Sequence, residues 1–177
     1  MKWIRLRSSD EKYFNQAWAI YEQSFPVFEQ RLLRDQQAAM KDEEFYFIAI
    51  VEEERVIAIV GYWIYPQFIY IEHLAVHPEV RGQKIGTKVL HELRELQKTL
   101  ILEIDPPVDN ISIKRLHFYE NVGFKLNDYP HVHPAYRLEY KGHELKVLSY
   151  PQGISLHVFK IFRQYLNDTV MKYSERY

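Results

Sequence analysis

The sequence predicts an α/β fold in which a mixed central sheet is flanked by helices. Three observations lead there. Strand-like and helix-like segments alternate along most of the chain, a strand at Phe68–Val76 is followed by a helix and then by a strand at Leu100–Ile104, and further strand segments come late. Two strands joined through a helix run parallel, whereas the hairpin upstream is antiparallel, so the sheet is mixed. At 177 residues the chain has the size of one domain, 1–177, with enough length to bury a substantial core.

Residues Lys2 to Arg7 alternate as a short strand, and Ser8-Ser9-Asp10-Glu11 offers caps and early acidic charge for a helix carrying Phe14, Ala17, Trp18 and Tyr21. Phe25-Pro26 breaks that helix, and a second is expected from about Phe28 to Met40. Phe45–Val51 and Arg55–Tyr65 read as a hairpin closed by Glu52-Glu53-Glu54. The strand Phe68–Val76 carries one carboxylate, Glu72, and ends at His77-Pro78. Ile85, Val89, Leu93 and Leu96 then fall on one face of a helix reaching about Lys98. After Leu100–Ile104, Asn110 is placed to cap a helix to Asn121, and Gly123 to end it. Tyr136–Tyr140 and Glu144–Tyr150 read as late strands. A last helix, about 154–173, presents Val158, Ile161, Phe162, Tyr165 and Leu166 to the core, and its exposed side could support a dimer, so a monomer or homodimer is expected.

Composition removes several classes of function. The chain has no cysteine, which excludes disulfides, thiolate metal sites and a cysteine nucleophile. Net charge is -1 with no dense basic block, so no nucleic-acid partner is expected. The opening residues are charged where a secretion signal needs an apolar run, and no apolar stretch approaches membrane-spanning length; a cytoplasmic enzyme without a membrane partner is the expectation. His131-Val132-His133 puts two imidazoles on one strand face, but no carboxylate or cysteine lies close in sequence, and no metal is expected.

Chemistry gathers where the strand ending at Val76 passes through Arg81-Gly82 into the helix that opens near Gly86. Unpaired N–H groups and the positive end of a helix dipole meet there, which suits a phosphate; a plain strand-to-helix turn needs the same glycines. Leu74-Ala75-Val76-His77-Pro78-Glu79-Val80-Arg81-Gly82-Gln83-Lys84-Ile85-Gly86-Thr87 resembles the acetyl-CoA motif of the GNAT acetyltransferases, Arg/Gln-x-x-Gly-x-Gly/Ala, with Lys84 where the family usually has glycine. Phe118-Tyr119-Glu120-Asn121-Val122-Gly123-Phe124 resembles the family's second segment, Phe-Tyr-Glu-x-x-Gly-Phe.

The resemblance implies the GNAT fold, with splayed central parallel strands, and acetyl-CoA as acyl donor. It implies that Leu74, Ala75 and Val76 lie along the pantetheine arm, that Arg81, Gly82, Gln83, Lys84, Ile85, Gly86 and Thr87 cradle the diphosphate, and that Tyr119 approaches the sulfur. The bent helical pair then borders the acceptor, with Phe25, Phe28, Glu29 and Tyr70 shaping its pocket. The expected reaction moves an acetyl group to a primary amine in a ternary complex; the alternative is an acyl-CoA-binding module without turnover. Amines are mostly protonated at pH 7, and neutralising one costs about 4 to 5 kcal/mol, so a base is needed. Glu72 is the expected base and Tyr119 the expected acid. Glu72 paired with a nearby arginine is the other reading of that carboxylate, and Glu103 on the adjacent strand is a further candidate; the family's usual glutamate position falls on Tyr70.

Overall fold

The computed structural model describes residues 1–176. Its elements, in chain order, are β1 (Lys2–Leu6), α1 (Phe14–Ser24), α2 (Leu33–Ala39), β2 (Phe45–Glu52), β3 (Arg55–Tyr65), β4 (Phe68–Val76), α3 (Ile85–Arg94), β5 (Thr99–Ile104), α4 (Asn110–Val122), β6 (Lys125–Asn127), β7 (Val132–His133), β8 (His143–Glu144), β9 (Lys146–Tyr150) and α5 (Leu156–Asp168). Seven strands form one sheet in the order β1-β2-β3-β4-β5-β9-β6, in which β4 and β5 are the parallel pair. Strands β7 and β8 make a separate ribbon. No described helix is long and apolar enough to cross a membrane.

Alternation along the strands sends side chains to opposite faces, and helices cover both. Phe45, Phe47 and Trp63 join Tyr21 of α1 and Phe162 of α5 on one face. Ile48, Val60 and Ile71 meet Val89 and Leu93 of α3 on the other. Each such side chain contributes about 1.5 to 3 kcal/mol on burial, so the central strands are the most firmly held part of the molecule.

Several boundaries differ from the sequence reading, most of them through side-chain hydrogen bonds. Ser8 and Glu11 close a turn, accepting from the N–H groups of Asp10 and Arg7, and α1 starts after Tyr13 without a side-chain cap. The expected Phe28–Met40 helix is a 3-10 turn at Val27–Glu29 followed by the short α2. Asp109, rather than Asn110, caps α4 in a reciprocal box with Ser112. The first late strand does not form: Tyr136 donates its hydroxyl proton to Glu72 at 2.8 Å, and Arg137 donates to the Gln30 carbonyl at 3.1 Å. These long-range bonds outweigh the strand preference of Tyr136–Tyr140.

Candidate functional site

The parallel pairing of β4 with β5 covers only Phe68–Ile71 against Thr99–Leu102. Beyond it β4 continues to Val76 with nothing paired on its β5 side. The cause lies one strand away. In the β3–β4 ladder Tyr62 faces Ile71 and Gly61 faces His73, leaving Glu72 as an extra residue in a bulge, which bends its strand and sharpens its twist. The strands part there around a cleft of about 790 Å³.

One bank of the cleft is made by Leu74, Ala75, Val76, Arg81 and Gly86, with Phe118 and Tyr119 of α4 beside them. A Cβ built on Gly86 would meet Phe118 Cζ at 3.3 Å and Val76 Cγ2 at 3.8 Å, so glycine keeps this bank open. The side chain of Arg81 folds back, Nε donating to the Val76 carbonyl at 3.2 Å. Gly82, at φ 81°, and Gln83 and Lys84 are exposed beyond it, while Thr87 is half-buried on the first turn of α3. Ile85 is buried in the core, so it has only its main chain to offer. The first N–H groups of a helix have no partner within it, and those of α3 open at this bank.

The other bank holds Phe25, Glu29 and Tyr70. Phe28 lies outside the lining, 40% exposed, with its ring edge-on to Tyr140 and His143. At the mouth, Glu29, Asp105 and His143 each bring one oxygen or nitrogen to within 4.8 Å of the others, and Asp105 also pairs with Arg115 at 3.2 Å.

Glu72 sits at the vertex, its side chain fully shielded. Arg31, also fully shielded, pairs with it at 2.6 Å, Trp63 donates to it at 2.7 Å and Tyr136 at 2.8 Å. Burial raises its carboxyl, but Arg31 more than offsets this and the value falls to about 2. Both oxygens are engaged and the proton affinity is low, which suits an anchor far better than the base expected at this position. Tyr119 is half-buried, and burial pushes its hydroxyl up to about 12, so at neutral pH it keeps the proton a donor needs.

Glu103, the first β5 residue beyond the last pair with β4, is also buried. It accepts from the Tyr70 hydroxyl and from His131 Nε2, the latter at 2.5 Å. Tyr70 thus holds a carboxylate delivered by the neighbouring strand. His131 and His133, which the sequence puts on one strand face, are both buried, and His133 lines the cleft beside Tyr136. The period-two spacing of His131-Val132-His133 was the one sequence signal for them; Arg31 and Tyr136 carried none.

The profile described as the Acetyltransferase (GNAT) family matches residues 8–124. YjbC of Bacillus subtilis (strain 168), provisionally named an acetyltransferase, is 28% identical over 103 residues, 57% of this chain and 52% of the relative; the chain spans about half the length of the curated relative it matches. A Bacteroides thetaiotaomicron structure described as a GNAT-family protein superposes at TM-score 0.88, with 22% identity over 97% of this chain and 98% of the other. An aminoglycoside 6'-N-acetyltransferase complexed with coenzyme A superposes at 0.60, with 15% identity over 84% and 96%. The extent of the family match, together with a sheet that opens between its parallel strands beside a glycine turn, means that the chain belongs to the GNAT family of acetyltransferases.

Proposed function

We propose that this protein, acting as one domain, transfers an acetyl group from acetyl-CoA directly to a primary amine while both are bound. The observation that carries this reading is the opening of β4 from β5 beside the Arg81–Thr87 turn. Acetyl-CoA supplies the activated acetyl thioester. The free edge of Leu74, Ala75 and Val76 offers backbone hydrogen bonds to an extended, amide-bearing arm. Arg81 to Thr87 offers N–H groups, the α3 dipole and the Lys84 ammonium to a diphosphate. Tyr119 protonates the departing sulfur. The acceptor enters past Phe25, Glu29 and Tyr70, with Phe28 at the rim, and Glu29 and Asp105 at the mouth offer carboxylate oxygens to its ammonium. With no cysteine in the chain, direct transfer is favoured over a thiol-bound acyl-enzyme.

Calorimetry with acetyl-CoA and a thiol assay for CoA release across an amine panel test this together. Gly86→Asp puts a side chain against Phe118 and a negative charge at the anion site, and it should weaken acetyl-CoA binding by at least about tenfold, some 1.4 kcal/mol, with the fold retained. Unchanged affinity in a folded Gly86→Asp protein removes the turn from the donor site. Binding without CoA release for any amine reduces the function to an acyl-CoA-binding module.

A further inference from the structure

The reaction needs a group to take the ammonium proton, and the two buried carboxylates at the cleft are committed elsewhere. Glu72 is tied to Arg31, Trp63 and Tyr136, and Glu103 to Tyr70 and His131. His133 differs. Its Nδ1 lies 2.6 Å from the Pro134 carbonyl oxygen, and a carbonyl can only accept, so Nδ1 carries the hydrogen. In the neutral ring Nε2 is then a lone pair. Its neighbour is the Tyr136 hydroxyl at 3.3 Å, whose proton goes to the closer, anionic Glu72 oxygen at 2.8 Å. His133 is 3% exposed and lines the cleft. The backbone has therefore set the tautomer of a buried imidazole and left its basic nitrogen unused.

Charged groups of three strands lie around it. Glu103 of β5 lines the cleft with it, and Glu72 of β4, paired with Arg31, is linked to it through the Tyr136 hydroxyl. Burial raises the Glu103 carboxyl, but His133 nearby and the hydrogen bond from His131 more than offset this and hold it low. His143 of β8 stands 6.1 Å away between ring centroids and is pushed toward its charged form by Glu29, so it opposes an imidazolium at His133. The uncharged Tyr136 hydroxyl lies against Nε2 itself, and the Tyr70 hydroxyl against Glu103.

We propose that His133 Nε2 takes the proton from the acceptor's ammonium, and that Glu103, positioned by Tyr70 and His131, stabilises the resulting imidazolium. This rests on the acyl-transfer reading above. One N–H bond of the ammonium breaks as Nε2–H forms. The freed nitrogen pair makes the new bond to the thioester carbonyl carbon, and the carbon–sulfur bond breaks with its pair leaving on sulfur. The second amine proton reaches that sulfur through the Tyr119 hydroxyl, and the imidazolium returns its proton to water. An imidazole is the side chain whose ordinary titration lies nearest neutral pH, which suits a general base.

The test uses the full chain with acetyl-CoA and a panel of butylamine, spermidine and an alanine-terminated tripeptide, taking whichever amine wild type turns over best. His133→Gln should lower kcat/KM by about 10²- to 10⁴-fold and abolish the acidic limb of its pH profile, with acetyl-CoA affinity and melting temperature nearly unchanged. His133→Ala should be partly rescued by added imidazole. Glu103→Gln should move that limb, and the His133 titration followed by NMR, to lower pH. A folded His133→Gln protein with the wild-type limb, or a His133 titration indifferent to Glu103→Gln, overturns this assignment alone. No CoA release from wild type with any amine overturns the acyl-transfer reading and this assignment with it, while the NMR titration still reports whether the two groups are coupled.

Discussion

Lys84 holds left-handed backbone, φ 61° and ψ 22°, at the residue before α3, where a side chain costs about 1 kcal/mol relative to glycine. Its retention there is accounted for if the ammonium meets a phosphate. Lys84→Gly should thus split two properties: the melting temperature rises by about 2 to 4 °C, while acetyl-CoA binds more weakly and with less dependence on salt. Equal or tighter binding by the glycine variant removes the phosphate contact. Glu72 gives a second residue-scale expectation. Its carboxyl falls from an ordinary 4.5 to about 2 in the folded protein, so its stabilisation is fully present above about pH 4.5 and is lost as pH falls through 2. The difference corresponds to about 3 kcal/mol. Urea unfolding between pH 6 and pH 2 should show this loss in wild type. Glu72→Gln alone strands the buried Arg31 and should cost about 3 to 5 kcal/mol at neutral pH, whereas Arg31→Met with Glu72→Leu should restore the fold and flatten the acid dependence. Glu103 is lowered too and persists in both proteins, so the comparison isolates Glu72.

At the scale of elements, the strands and helices that bury one continuous face were legible, because period 2 or 3.6 is written into a single segment. β4 and β5 lie where alternation and apolar runs put them, and Gly123, at φ 110°, ends α4 as expected. The glycine turn and the Phe118–Phe124 segment were legible for the same reason: their chemistry is local. What the sequence concealed is nonlocal. Glu72 meets Tyr136 across 64 residues, and Arg31 reaches the Val170 carbonyl across 139, so no window of the chain contains the pair that changes an expected base into an anchor. The bulge was hidden as well, since Phe68–Val76 alternates like a regular strand until its partner shows that one residue is left over.

At the scale of the molecule, Arg31 links three distant parts. It pairs with Glu72 in β4, donates to the carbonyls of Val170 and Tyr173 beyond α5, and its own N–H donates to the Tyr21 hydroxyl of α1. Helix α1, the sheet and the C-terminal segment are thereby tied at one residue. The existence of the cleft, in contrast, is a matter of parity. Tyr70, Glu72, His73 and Ala75 face one side of β4 and Ile69, Ile71, Leu74 and Val76 the other, so subtracting Glu72 restores strict alternation and turns no side chain inside out. Removing Glu72 together with Arg31→Met should give a protein that folds with every core residue on its accustomed face. Its sheet would be zipped through to the end of β4, with amide protons in the Leu74–Val76 stretch newly protected from exchange and no measurable affinity for acetyl-CoA. In that sense the binding space is held open by a miscount of one between neighbouring strands, and an insertion or deletion of one residue is the smallest step between an open cleft and a closed sheet of the same fold.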